Sequence, residues 1–140
     1  MGSVNPQFVL PQLLDADSVK FAEGFFGSIT LGNGQFCTCP GILFVPENSD
    51  AMLSKLAELA GASTGQPVLN EATAKGFTSG IEHLSSLEGV DVLGKGTLEG
   101  AAIGAPATVL KVSLVDFLKN RVALSVEVFG PSPVIVVCPS

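Results

Sequence analysis

The sequence predicts an α/β fold, with a largely parallel sheet of about five strands covered by helices. Two observations carry this expectation. Short apolar runs rich in β-branched residues alternate with segments of helical spacing along the chain, and parallel strands need the crossover connections that such alternation supplies. The composition agrees, at 46% hydrophobic and only 14% charged residues, because strands covered on both faces read as continuous apolar runs.

In chain order, the first expected strand is Phe8–Leu10, followed by a helix from Ser18 to about Phe26. Gly41–Val45 is the second strand. The second helix, Asp50–Ala60, places Met52, Leu56, Leu59 and Ala60 on one side. Asn48, Ser49 and Asp50 are good N-cap types before it, and Gly61 suits the left-handed C′ position after it. A third helix, Glu71–Leu87, aligns Ala74, Phe77, Ile81 and Leu84. Then come a strand at Val90–Leu93, a glycine-rich loop at Gly94–Gly104, a strand at Ala107–Val112, a short helix from Leu114 to Asn120 and a last strand at Val134–Cys138.

A chain of 140 residues fits one domain and buries about two-thirds of its unfolded surface. Its low charge implies either a small, thoroughly buried core or an apolar surface that takes a partner. The net charge is −6, and the 7 Lys and Arg residues are scattered, so no basic stripe exists for nucleic acid. No apolar run approaches the roughly 20 residues that span a bilayer, and the N-terminus lacks a signal-peptide plan. A soluble, cytoplasmic protein is expected.

The three cysteines are Cys37, Cys39 and Cys138. One residue between Cys37 and Cys39 is a poor geometry for a structural disulfide, so reduced thiols are expected. No metal site is expected, because the one histidine, His83, and no second Cys-x-x-Cys pair leave zinc short of ligands. His83 itself reads as a structural residue on a surface helix. Gly32-Asn33-Gly34 is too short for a dinucleotide fingerprint, and no other loop resembles a phosphate cradle.

The segment most suggestive of chemistry is Gly27–Gly41, GSITLGNGQFCTCPG, in which Cys37 follows a glycine-rich turn and Pro40-Gly41 closes it. A nucleophilic cysteine reacts as the thiolate and needs a positive dipole, a base or backbone amides nearby. A helix N-terminus beside the glycine-rich loop could supply one. On spacing alone, a small buried cysteine and a nucleophile both remain open.

Three stretches then carry a family resemblance. GQFCTCPG around Cys37 resembles the cysteine motif of aldehyde dehydrogenases, and Glu127–Pro131, EVFGP, resembles the downstream E-x-F-G-P motif of the same superfamily, in the expected order. Met1–Pro11, MGSVNPQFVLP, is similar to the segment that follows the general-base glutamate in these enzymes. Together the matches span nearly the whole chain. LGNGQFCT and VNPQFVLP most resemble the branch of α-ketoglutarate semialdehyde (2,5-dioxopentanoate) dehydrogenases and NADP-dependent fatty-aldehyde dehydrogenases.

The resemblance implies that Cys37 attacks an aldehyde to give a thiohemiacetal, then a thioester that water releases as the acid. It implies NADP or NAD as hydride acceptor, with Glu127 binding the nicotinamide ribose and Phe129 packing beside the nicotinamide ring. Two positions depart from the family pattern: Cys39 stands where asparagine is common, as a packing residue or a thiol that could resolve an oxidised Cys37, and Val126 replaces an acidic residue.

The same alignment expects the general base immediately before Met1, and the nucleotide-binding domain and a C-terminal remainder outside residues 1–140. The parent would then be an aldehyde dehydrogenase, while the chain alone would be inactive, would not bind its cofactor, and would have the missing domains of the same enzyme, and a homo-oligomer, as partners. Two other readings stand beside this one. A non-enzymatic α/β module would self-associate or bind a partner through its apolar surface, and a thiol-redox protein would work through Cys37-Thr38-Cys39.

Overall fold

A computed structural model of the protein describes residues 4–100 and 103–139. Met1–Ser3, which open the first resembling stretch, and Ala101 and Ala102 of the expected glycine-rich loop lie outside the described residues. The elements are β1 (Pro6–Phe8), α1 (Pro11–Thr30), a 3-10 turn (Leu31–Gly34), β2 (Ile42–Pro46), α2 (Asp50–Ala62), β3 (Gln66–Pro67), α3 (Glu71–Ser85), β4 (Val90–Lys95), β5 (Gly104–Ala105), β6 (Thr108–Ser113), α4 (Leu114–Lys119), α5 (Arg121–Leu124) and β7 (Val134–Cys138).

The main sheet has the order β1-β2-β7-β6-β4. Its three pairs β1–β2, β2–β7 and β7–β6 are parallel, and only β4 is antiparallel, against β6. The expected α/β class and mostly parallel five-stranded sheet are therefore what the chain forms. β4 departs because no helix intervenes before β6, so the chain returns as an antiparallel pair, with a register shift between Val92 and Gly94.

Side chains alternate across the sheet with the period of two that a strand imposes. In β7, Val134 and Val136 enter a core with Phe77, Ile81 and Leu84 of α3, Phe117 of α4 and Leu124 of α5. Ile135, between them, enters the opposite core with Ala22, Phe25 and Ile29 of α1 and Met52, Leu56 and Ala60 of α2. The sheet is thus covered on both faces. Ile135, Val136, Leu43 and Leu110 are all fully buried, and each contributes about 1.5–3 kcal/mol relative to exposure.

Several boundaries differ from expectation. β1 ends at Phe8 instead of starting there, because Pro11 opens α1 at a position where its missing N–H costs nothing. Asp17 is non-helical inside α1 and its carboxylate accepts from Lys20 N–H at 3.2 Å, so a capped second segment begins at the expected Ser18. Gly61 lies inside α2 and not at C′: the helix continues to Ala62, and Ser63 ends it with both its N–H and its hydroxyl donating to Ala60 O. The loop expected at Gly94–Gly104 is shorter, since Gly94 and Lys95 belong to β4 and Gly104 to β5.

Candidate active site

Asn5 precedes β1, the Cys37 turn precedes β2 and Glu127–Pro131 precedes β7. Because β1, β2 and β7 are parallel neighbours, their beginnings lie at one end of the sheet. Topology therefore gathers segments remote in sequence into a single cluster.

The Cys37 turn is built by the backbone. Gly32, Asn33 and Gly34 all have positive φ, 55°, 53° and 71°, which stops α1 and reverses the chain. Cys39 N–H then donates to Phe36 O at 3.1 Å, closing a turn that presents Cys37 to solvent. The glycine-rich loop follows the C-terminal end of α1, and Gln35 at its far side reaches Leu69, next to the Asn70 N-cap of α3. The α1 end offers carbonyls, and the Cys39 thiol lies 3.6 Å from Ser28 O. Cys39 accordingly packs against α1, the role that competed with a resolving thiol.

Side chains lock the turn from three directions. The Asn5 amide donates to Cys37 O at 2.7 Å and to Cys39 O at 3.0 Å. Asn33 donates to Gln66 O at 2.7 Å, while Gln35 accepts from Leu69 N–H at 2.8 Å and donates to Gly32 O at 3.0 Å. Gly41 N–H donates to Val4 O at 2.7 Å.

The second motif is pressed against the first. A Cβ at Gly34 would run into the Gly130 and Pro131 backbone, and one at Gly130, where φ is +151°, would run into the Phe77 ring. The two motifs touch through backbone that only glycine permits. Val128 in turn packs over Gly80 of α3, leaving no room for a side chain there.

Glu127 is half-buried and lines a small recess together with Phe36, Cys39 and Gly130. Phe129 is 40% exposed and lines a separate apolar groove with Gln35, Phe36, Pro67 and Leu69. All three sequence-predicted residues, Cys37, Glu127 and Phe129, thus fall at one end of the sheet, with Glu127 and Phe129 in different depressions. His83 sits on the exposed side of α3, in a third depression that also includes Glu127 and Val128.

Sequence reasoning missed Asn5, Asn33, Gln35, Phe77 and Gly80 as supports. Asn5 and Asn33 had a signal, because asparagine tolerates positive φ and bonds backbone groups. The others depend on which segment arrives opposite them. Among the described residues, no group of three or more His, Cys, Asp or Glu side chains could hold a metal ion.

Comparison with known proteins gives this arrangement its context. No protein-family model matches the chain. Over 142 residues it is 33% identical to alpha-ketoglutaric semialdehyde dehydrogenase 2 of Azospirillum brasilense, which covers 99% of this chain and 26% of that protein. Its fold superposes on an aldehyde dehydrogenase of Bacillus cereus, solved as an NAD+ complex, with a TM-score of 0.79 at 22% identity, covering 99% of this chain and 29% of that one. In sequence and fold the chain matches one part of an aldehyde dehydrogenase.

The alpha-ketoglutaric semialdehyde dehydrogenase of Acinetobacter baylyi agrees, at 29% identity over 138 residues, 97% of this chain and 26% of that protein. So does aldehyde dehydrogenase C of Pseudomonas syringae, whose mutant was solved with NAD+ and octanal: TM-score 0.79, 25% identity, 99% of this chain and 30% of that one. The chain spans about a quarter of the length of the curated aldehyde dehydrogenases it matches.

Proposed function

We propose that this chain forms the nucleophile-bearing part of the catalytic domain of an NAD(P)-dependent aldehyde dehydrogenase, with Cys37 as nucleophile. The observation that carries the reading is the exposed Cys37 turn, held between Asn5 and the Glu127–Pro131 segment at one end of the sheet. The names of the curated relatives support 2,5-dioxopentanoate (α-ketoglutaric semialdehyde) as the aldehyde.

In this reading the Cys37 thiolate adds to the aldehyde carbon, and the carbonyl oxygen becomes an oxyanion that pre-oriented donors such as the Cys37 backbone N–H stabilise. The side chains present fit the nicotinamide end of a dinucleotide. Glu127 offers a half-buried carboxylate that can accept from the ribose hydroxyls, and Phe129 an exposed aromatic face for the ring. When bound, the cofactor supplies the hydride acceptor that dehydrogenation requires. Cys37 then carries the acyl group as a thioester until water releases the acid.

The base, the phosphate-binding domain and the C-terminal remainder of the catalytic domain are assigned to the other three-quarters of such an enzyme. The 140-residue chain by itself therefore does not turn over. Its exposed apolar residues, among them Phe8, Leu69 and Val122, suit cover by those parts or by a second copy. The odd cysteine count with a one-residue Cys37–Cys39 spacing fits a reducing compartment, the cytoplasm.

The test is oxidation of the aldehyde with NADP or NAD, by the chain alone and by the longer protein containing it. The chain alone is expected to give no reduced nucleotide. In the longer protein, Cys37→Ala is expected to lower kcat at least about a thousandfold, and Glu127→Gln to raise the nucleotide KM about tenfold or more. Full activity after Cys37→Ala would refute the assignment.

A further inference from the structure

Asn5 has an unusual backbone. Its φ is +48°, a region that besides glycine mainly asparagine and aspartate enter, and the following Pro6 restricts it toward extended geometry. Strain of this kind persists only where surrounding contacts compel it, and it concentrates at functional sites. What the conformation achieves here is visible, because one amide group reaches two carbonyls, Cys37 O and Cys39 O, across the ends of a three-residue arc.

We infer that Asn5 is a positioning residue for Cys37, which holds the Cys37–Thr38 and Cys39–Pro40 peptide units so that their carbonyl oxygens face away from the thiolate. This rests on the reading of Cys37 as nucleophile. A carbonyl oxygen is the negative end of the peptide dipole, and one swung toward a thiolate would disfavour the reactive form. The Asn5 amide has two N–H donors and uses both on this pair. Gly41 N–H, bonded to Val4 O at 2.7 Å, fixes the residue before Asn5, so the clamp is anchored at its own root. The Cys39 thiol, lying against Ser28 O, secures the far side of the arc. Cys37 is thereby the one cysteine of the turn left facing solvent.

The experiment uses the 140-residue chain and iodoacetamide, with the alkylated cysteine located by mass analysis and Cys138 as reference in the same molecule. Asn5→Gly accepts the positive φ but removes both donors. Asn5→Asp keeps the shape and replaces donors with acceptors, which turns the clamp into a repulsive neighbour. Cys37 alkylation is expected to slow roughly three- to tenfold in Asn5→Gly, the loss of one or two ordinary hydrogen bonds, and further in Asn5→Asp, while Cys138 keeps its rate.

A merely structural residue gives the opposite pattern, since loosening the turn exposes Cys37 and speeds alkylation in step with a falling thermal midpoint. Unchanged or faster Cys37 alkylation in both variants, or equal slowing of Cys37 and Cys138, overturns the inference. Should Asn5→Asp fail to fold, Asn5→Gly decides alone. The alkylation readout needs no dehydrogenase activity. Failure of the clamp is therefore distinct from failure of the catalytic reading, which shows as activity surviving Cys37→Ala.

Discussion

Cys37 and Cys138 lie at opposite ends of adjacent parallel strands, the first before β2 and the second at the end of β7, where it pairs with Pro46. The end that holds Cys37 is made of irregular backbone, with positive φ at Asn5, Gly32, Asn33 and Gly34, side-chain amides on main-chain carbonyls, and glycine-to-glycine contact. The end that holds Cys138 is made of packing. There Phe8 stacks on Phe44 with centroids 4.7 Å apart, and Val45, Pro46 and Pro139 line an apolar groove. A side chain can be buried by hydrophobic contact alone, but presenting one to solvent in a fixed orientation requires its backbone to be tied down. The Cys37 end has those ties.

The largest test of this contrast is Phe77→Ala, which removes the ring beneath Gly130 and should cost about 3–5 kcal/mol in urea unfolding. It should also loosen the Glu127–Pro131 segment, seen as faster amide exchange there. Gly34→Ala should cost roughly 2–4 kcal/mol, because a left-handed residue gains a Cβ directed at backbone that cannot yield. Phe8→Ala at the other end should cost less than about 1 kcal/mol, since that ring is 69% exposed. Equal costs for Gly34→Ala and Phe8→Ala would erase the distinction between the two ends.

A smaller effect is chemical. Burial pushes the Cys138 thiol above its ordinary range, so iodoacetamide should modify exposed Cys37 at least about tenfold faster than Cys138 near neutral pH. The smallest concerns acid. At the start of α4, beyond the same end of the sheet as Cys138, the Lys119 ammonium and then the Ser113 hydroxyl hold the Asp116 carboxyl below its usual value. Its stabilisation is therefore present above the ordinary carboxylate range and is lost as pH falls through the lowered folded value. Asp116→Asn should slightly flatten the acid limb of the unfolding midpoint against pH and leave Cys37 alkylation unchanged.

Much of this architecture was legible in the residues. Buried strands such as Val134–Cys138 announce themselves by continuous β-branched runs, and α3 by its apolar spacing through Phe77, Ile81 and Leu84. What escaped depended on contacts between distant segments. β3 and β5 are two residues each and exist only as each other's partner. The orientation of β4 was hidden because an antiparallel strand reads like a parallel one until its connection is known. Glycine behaved likewise: Gly61 looks like a helix stop in isolation, yet α2 runs one residue past it and ends at Ser63, whose hydroxyl bonds Ala60 O. For the site, the motif residues were visible in the chain, whereas the clamp by Asn5 was not. Hydrogen bonding from residue 5 to residues 37 and 39 follows only once β1 lies beside β2.

The sheet order also sets a timetable. β7 is the last of these five strands to leave the ribosome, yet it inserts between β2 and β6 at the centre of their order, and it brings Glu127–Pro131 onto the Cys37 turn. Assembly of this end is therefore a late, non-local event in folding. Until β7 arrives, Cys37 sits on a loop with one wall missing, so a nascent or truncated chain would expose the thiol before the surroundings that give it a use.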